Sequence, residues 1–130
     1  MYGLLKENGP YLVDAEERPF SGLHLVKNKQ SWHKVANIIY IDNPAGTGFS
    51  YNINPRTSWE LSQDEITKEL TEFLVQFLKL LPYYTNSNGV PKMYIFGESY
   101  GGTYVVSLGE HIVSQGLAKV IYFMIFVLSQ

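Results

Sequence analysis

The stretch YIFGESYGG (residues 94–102) places a serine between two glycines, where an apolar run gives way to a helical pattern. The apolar run, Lys92 to Phe96, predicts a strand, and the spacing from 100 to about 115 predicts a helix that Gly116 would stop. G-E-S-Y-G (97–101) fits G-x-S-x-G, the pattern of a nucleophile elbow, in which a strand turns sharply into a helix. The motif therefore makes Ser99 a candidate nucleophile on an α/β fold.

The two glycines of the motif answer a steric demand. A bend this tight leaves no room for bulk two positions from the serine, which explains Gly97 and Gly101. The bend would lift the Ser99 hydroxyl above the sheet at a helix N-terminus, where the helix dipole favours negative charge. The backbone N–H of Tyr100 would then donate to an oxyanion. The alternative is a serine in a tight turn whose hydroxyl caps the helix.

The composition bounds the class of protein. A chain of 130 residues, 45% hydrophobic, suits a single domain over residues 1–130 with a packed core. The net charge is −2 and no basic block occurs, so nothing indicates a nucleic-acid partner. The most apolar stretch, 120–128, is too short for a membrane span, and the first residues lack the pattern of a signal peptide. Cysteine is absent, and the three histidines show no metal-ligand spacing.

The remaining patterns predict alternating strands and helices. Ser62 and Glu65 form a possible capping box, and apolar residues then recur at steps of three and four up to Leu81, before Pro82. Short strands are predicted after the turn at 7–10, at 23–26, at 38–41 and in the apolar tail 119–128. The uninterrupted run Ile38–Ile41 suits a strand covered on both faces. This order indicates an α/β sandwich with three to five strands and two main helices.

Three segments, taken together, resemble one known family. The chain resembles the serine carboxypeptidases, and among them most closely the vitellogenic-like group. The segments that carry the resemblance are ENGPYLV (7–13), SWHKVANIIYIDNPAGTGFSY (31–51) and YIFGESYGGTYV (94–105). The resemblance implies a partial α/β-hydrolase core with a mostly parallel sheet flanked by helices. It also implies release of C-terminal amino acids from peptides with a free C-terminus. No metal or organic cofactor would take part, and the location would be secreted, lysosomal or vacuolar.

The resemblance also assigns roles to individual residues. Ser99 would be the acyl-enzyme nucleophile, and Tyr100 would supply an oxyanion N–H. Glu98 and Glu7 would bind the substrate's C-terminal carboxylate, which two acids can do only when they are protonated and donate O–H. Such clustered carboxyls titrate together, and binding should weaken as the pH rises. Without the resemblance, the favoured interpretation is that Glu98 is a solvated residue of the elbow and that Glu7 is an ordinary turn residue. The loop 43–48 has two equally favoured interpretations. It forms one wall of the substrate-binding site, or it only leads the chain out of a strand, with glycines that relieve backbone strain.

The catalytic set is expected to be incomplete. A serine needs a neighbouring base and an orienting acid, but after Ser99 the sequence holds only Glu110 and His111, and no aspartate. His111 lies about 18 Å along a helix axis from Ser99 and cannot reach back. The family's W-N-G-G-P-G segment would precede Met1, and the tail 119–130 diverges from the family pattern. We therefore expect a domain truncated at both ends and inactive alone.

Two other classes of function stay open. An esterase or lipase shares G-x-S-x-G but would not explain the segments ENGP and IDNPAGTGFSY. A non-catalytic remnant or interaction fragment is compatible with every residue of the chain. No feature of the sequence predicts an oligomeric state.

Overall fold

The computed structural model describes residues 2–14, 24–53, 61–81, 93–116 and 121–123. Its tertiary contacts divide the chain into two units, Met1–Ile53 and Asn54–Gln130. The strands are β1 (Tyr11–Asp14), β2 (His24–Lys27), β3 (Met93–Ile95) and β4 (Ile121–Phe123), and the helices are α1 (Gln63–Leu80) and α2 (Gly101–Ser114). A π-helical turn (Gly3–Glu7) and a 3-10 turn (Trp32–Lys34) complete the elements.

The first unit is built on a hairpin. β1 pairs with β2 antiparallel, with Tyr11 opposite Lys27. The π-helical turn before the hairpin closes through the N–H of Asn8, which donates to the carbonyl of Gly3 at 3.0 Å. The next position must be glycine, because a Cβ on Gly9 would overlap the carbonyl of Leu4. The chain thus turns sharply between the π-helical turn and β1.

The interior of the first unit is polar. Among its described residues, the side chains buried almost completely are those of Asn28 (5% exposed) and Ser31 (3%). Many of its large apolar side chains lie on the surface, including those of Val35, Phe49 and Ile53. Hydrogen bonds to main-chain carbonyls, rather than a cluster of buried apolar groups, therefore hold this unit together.

The strand predicted at Ile38–Ile41 is wrong for the described structure. Residues 37–43 lie in neither strand nor helix, and Ile39 and Ile41 are partly exposed. A strand forms only where a neighbouring segment accepts and donates its main-chain hydrogen bonds. In the described part of the chain, no segment forms a ladder with this run.

The second unit has an apolar core between two helices. α1 packs against α2. The core consists of Leu70, Leu74, Leu108 and Ile112, and Met93 and Ile95 of β3 pack against it. β3 pairs in parallel with β4, with Met93 opposite Ile121, so that α2 connects two parallel strands. This strand–helix–strand arrangement positions the turn that holds Ser99.

The helix predictions are confirmed. The Ser62 hydroxyl accepts from the N–H of Glu65, and the Glu65 carboxylate accepts from the N–H of Ser62, which completes the capping box of α1. Gly116, the predicted stop of α2, has φ +66°, a left-handed conformation that glycine adopts easily. Pro82, the predicted stop of α1, lies outside the described residues, as does most of the tail 119–130.

Helices and strands of the described residues together agree with the α/β class. The described strands form one parallel and one antiparallel pair, so a mostly parallel sheet remains a prediction, as does a single domain over 1–130. No helix among the described residues combines the length and apolar character needed to cross a bilayer.

Candidate active site

Ser99 lies in the turn that joins β3 to α2. Its backbone is left-handed, with φ +54°, and among the described residues no other non-glycine residue has a positive φ. The carbonyl of Glu98 accepts from the N–H of Gly101 at 2.8 Å, and that of Ser99 accepts from Gly102 at 3.0 Å. Left-handed backbone is strained for a residue with a Cβ and often marks functional turns. The strand, the strained serine and the helix follow each other within nine residues (93–101).

The two glycines of the motif differ in how much space the structure leaves for a side chain. A Cβ on Gly97 would overlap the carbonyl of Gly101 and lie 2.7 Å from Cγ2 of Val105. A Cβ on Gly101 would meet no described atom within 4 Å. The steric demand of this turn therefore falls on Gly97, where the end of the strand passes against the first turn of α2.

The Ser99 hydroxyl is not used by the helix that follows it. Tyr100 is the N-cap of α2, and no side chain caps this end. Ser99 and Glu98 are both exposed, and no side-chain hydrogen bond is formed by either within the described residues. The N–H of Tyr100 likewise has no acceptor among them. The turn thus presents a hydroxyl and a main-chain donor side by side at the positive end of a helix dipole.

A pair of tyrosines lies at the elbow, and its second member, Tyr104, was not predicted from the sequence. The rings of Tyr100 and Tyr104 meet edge to face, with centroids 5.2 Å apart. Burial raises the pKa of the Tyr104 phenol above its ordinary value, and the nearby Tyr100 phenol raises it further. The spacing of four residues at the start of a predicted helix was the available signal.

Glu7 is the last residue of the π-helical turn in the first unit. Its main-chain carbonyl accepts from Nδ2 of Asn28 at 3.0 Å. Its carboxylate lies in front of Gly3, with Oε2 3.4 Å from where a Cβ of Gly3 would be. The pKa of the Tyr40 phenol is raised, first by burial and second by the charge of Glu7. No pattern in the sequence connects Asn28 or Tyr40 with Glu7.

The first unit also holds a serine and a histidine in direct contact. Nδ1 of His33 lies 2.6 Å from Oγ of Ser31. However, the Ser31 hydroxyl donates to the carbonyl of Asn8 at 2.8 Å, and its side chain is only 3% exposed. The hydroxyl has one proton, so the proton between Ser31 and His33 must come from Nδ1. His33 therefore acts as a donor to a buried structural serine and does not activate a nucleophile.

The glycine-rich loop 42–50 closes on itself. The Asp42 carboxylate accepts from the N–H of Phe49 at 2.9 Å, and the N–H of Gly46 donates to the carbonyl of Ser50 at 2.8 Å. Gly46 and Gly48 both have positive φ, and a Cβ on Gly48 would overlap the Asp42 carboxylate. These glycines are therefore required by the backbone of the loop, whatever else the loop binds.

α2 brings no base to Ser99. His111 lies in the last turn of the helix whose first turn follows the elbow. Its position is about 18 Å further along the axis, at 1.5 Å per residue. Among the described residues, no three His, Asp or Glu side chains are grouped closely enough to hold a metal ion.

Comparison with known proteins decides the family. The profile of the serine carboxypeptidases matches residues 1–123. The chain belongs to the serine carboxypeptidase family. It is 41% identical over 111 residues to serine carboxypeptidase S10 family member 1 of Dictyostelium discoideum, covering 85% of this chain and 24% of the relative. It is 40% identical over 116 residues to the probable serine carboxypeptidase CPVL of the same organism, covering 88% of this chain and 21% of that relative.

A third serine carboxypeptidase in the comparison is an insect protein. The venom serine carboxypeptidase of Apis mellifera is 37% identical over 112 residues, covering 86% of this chain and 22% of the relative. The resemblance to serine carboxypeptidases, including the vitellogenic-like type represented by CPVL, is confirmed. The chain spans between a fifth and a quarter of the length of these three relatives.

Proposed function

We propose that this serine carboxypeptidase chain carries the nucleophile of a site that releases C-terminal amino acids from peptides, with Ser99 as the acyl-accepting residue. The observation that carries the proposal is the left-handed backbone of Ser99 between β3 and α2. A helix-capping role for this serine finds no support, because α2 has no side-chain cap. What remains is an exposed hydroxyl held in a strained turn, as nucleophilic serines are.

The reaction follows from the groups at the turn. Oγ of Ser99 attacks the carbonyl carbon of the last peptide bond, and the carbonyl oxygen becomes an oxyanion that accepts from the N–H of Tyr100. A base takes the hydroxyl proton and passes it to the departing amino acid, and water then hydrolyses the acyl-enzyme. Within the described residues of the second unit, the one histidine, His111, lies at the far end of α2 from Ser99. General-base catalysis commonly contributes about 10²–10⁴ in rate, so the 130-residue chain alone should turn over little or no peptide.

We assign recognition of the free C-terminus to Glu98 and Glu7. Glu98 directly precedes the nucleophile and is exposed, which suits a group that meets the substrate beside the scissile bond. Protonated carboxyls can donate O–H to the peptide carboxylate, whereas two ionised ones would repel it. Binding should therefore be favoured at acidic pH. This dependence supports, as part of the proposal, a secreted, lysosomal or vacuolar location.

The finer description of the fold belongs to the same proposal. We assign β3, α2 and β4 to an α/β-hydrolase core, in which a strand, the elbow and a helix carry the nucleophile. The parallel pairing of β3 with β4 across α2 supports this assignment. Membership of the family supports it independently.

Labelling with a fluorophosphonate tests the nucleophile. We expect the 130-residue chain to be labelled at Ser99, slowly because no base activates the hydroxyl, and to release no amino acid from an N-blocked dipeptide at acidic pH. Ser99→Ala should lose the label, and Ser107→Ala, in the middle of α2, should keep it. Equal labelling of Ser99→Ala would refute the nucleophile. Peptide turnover that depends on Ser99 would refute the predicted inactivity.

A second candidate is a non-catalytic remnant or interaction fragment, with which every residue of the chain is compatible. Binding of an N-blocked dipeptide without fluorophosphonate labelling would favour this candidate. No observation favours an esterase or lipase.

A further inference from the structure

Asn28 occupies an unusual position just after β2. Its side chain is only 5% exposed, and its Nδ2 donates to two main-chain carbonyls, that of Glu7 at 3.0 Å and that of Gly9 at 2.9 Å. Its Oδ1 accepts from the N–H of Gln30 at 2.9 Å. Both hydrogens of the amide are therefore used, and the amide is held in one orientation, since a flip would set its oxygen against two carbonyls.

The residue between these two carbonyls is bound by the same segment. The carbonyl of Asn8 accepts from Oγ of Ser31 at 2.8 Å and from the N–H of Trp32 at 3.0 Å. Residues 28–32 thus satisfy three successive carbonyls, those of positions 7, 8 and 9. Asn8 is held at its side chain as well, because its Oδ1 accepts from the Tyr40 hydroxyl at 2.7 Å.

This arrangement fixes the backbone from which the Glu7 side chain extends. The π-helical turn is only five residues long, and the N–H groups of Asn8 and Gly9 that close it both donate to the carbonyl of Gly3. Of the three carbonyls, that of Glu7 is tied to the segment through Asn28, whereas that of Asn8 has two donors. Loss of the Asn28 amide removes a hydrogen bond to the main chain of Glu7 itself, whereas loss of the Ser31 hydroxyl removes one to its neighbour Asn8.

We propose that Asn28 is a positioning residue for Glu7, holding its main chain so that the Glu7 carboxyl can meet the carboxylate of a peptide. The inference rests on the proposed role of Glu7 in recognising the C-terminus. Asn28 itself touches the carbonyls of Glu7 and Gly9 and acts on the substrate only through them.

A binding experiment on the 130-residue chain tests this role. The probes are an N-blocked dipeptide with a free carboxylate and the same dipeptide as its C-terminal amide, both at acidic pH. Asn28→Ala should weaken binding of the carboxylate about tenfold, as expected for a misplaced hydrogen bond to a charged group, and leave the amide nearly unchanged. In a Glu7→Ala background, which leaves no side-chain donor at position 7, Asn28→Ala should have no further effect.

Two further variants control for damage to the fold. Ser31→Ala removes one of the two donors to the carbonyl of Asn8. It should lower the affinity for the carboxylate peptide by less than about twofold. Asn28→Ser keeps one donor, so its affinity for the carboxylate peptide should lie between those of the native chain and of Asn28→Ala. Equal weakening of the binding of both peptides, or additive effects of Asn28→Ala and Glu7→Ala, would overturn the positioning role.

The titration of Tyr40 gives an answer that needs no peptide. Its resonance can be followed in tyrosine-labelled protein and assigned with Tyr40→Phe. If Asn28 holds Glu7 in place, Asn28→Ala and Glu7→Gln should each lower the pKa of Tyr40, and the double variant should match Glu7→Gln. An unchanged pKa in Asn28→Ala, or a further decrease in the double variant, would overturn the inference. If the native chain binds neither peptide, the assignment of C-terminus recognition to Glu98 and Glu7 fails, while this titration still decides whether Asn28 holds Glu7 in place.

Discussion

Gly97 and Gly101 meet backbone to backbone: a Cβ on Gly97 would overlap the carbonyl group of Gly101. The end of β3 is thereby held against the first turn of α2, with Ser99 between them. This contact explains why the elbow tolerates a left-handed serine, since the flanking strand and helix leave the intervening residues little freedom.

We predict that Gly97→Ala and Gly101→Ala have very different effects on stability. Gly97→Ala should lower the free energy of unfolding by about 1–3 kcal/mol, as overpacking typically does. Gly101→Ala should be neutral or stabilising by up to about 1 kcal/mol, because alanine favours a helix and its Cβ meets no described atom. Denaturant unfolding followed by circular dichroism at the helical minimum measures both. Equal losses would show that the steric demand is shared.

The left-handed backbone of Ser99 predicts that glycine at this position is more stabilising than alanine. Ser99→Gly should be more stable than Ser99→Ala by about 1 kcal/mol, because a residue with a Cβ is strained at φ +54° and glycine is not. Both variants remove the hydroxyl, so their difference reports the strain of the turn less the extra chain entropy that glycine loses on folding. The free energies of unfolding of the two variants, compared in the same denaturant series, provide the measurement. A more stable Ser99→Ala would place the serine in ordinary backbone.

The capping box predicts how α1 responds to acid. The pKa of Glu65 lies below its ordinary value, mainly because its carboxylate accepts from the N–H of Ser62 and then from the Ser62 hydroxyl. The folded state therefore keeps Glu65 ionised to a lower pH than the unfolded state does. The stabilisation is complete above the ordinary glutamate pKa and is lost as the pH falls through the lowered one.

Helicity near Ser62, followed by NMR during acidification, checks this sign. Glu65→Gln should remove the acid-dependent loss at the start of α1. Glu69→Gln, which changes the charge equally from an exposed position, should retain it. An acid response that persists in Glu65→Gln would point to another group.

The core of the second unit predicts a large effect of truncation at Leu108. This side chain is only 2% exposed and packs with Leu70, Leu74 and Ile112. Leu108→Ala should cost about 2–5 kcal/mol, through lost burial and the cavity left behind. Val113→Ala, at a position 58% exposed on the same helix, should change the free energy of unfolding by less than about 0.5 kcal/mol. Thermal unfolding of the two variants makes the comparison, and similar losses would contradict the proposed core.

The helices of this chain could be predicted because their signals are local. Ser62, followed three residues later by Glu65, predicts the start of α1, and the spacing of its apolar residues predicts the buried face. The elbow is equally local, since G-x-S-x-G combines a required glycine with a strand before it and a helix after it. The position of Ser99 at the junction of β3 and α2 follows from these nearby residues.

The features that could not be predicted depend on partners distant in the chain. Ile38–Ile41 has the composition of a strand, but composition does not determine whether a neighbour pairs with it. Asn28 resembles any turn asparagine between two lysines, and its bond to Glu7 spans 21 residues. The π-helical turn at Gly3–Glu7 is too short to show a period.

The polar interior of the first unit has a thermodynamic consequence. Unfolding raises the heat capacity mainly by wetting apolar surface, whereas wetting polar groups lowers it. Among the described residues of this unit, the deeply buried side chains are Asn28 and Ser31. Its melting should therefore show a small heat-capacity increment, and its stability should vary with temperature along a nearly straight line. The leucine-lined second unit should instead follow a strongly curved profile that weakens on cooling.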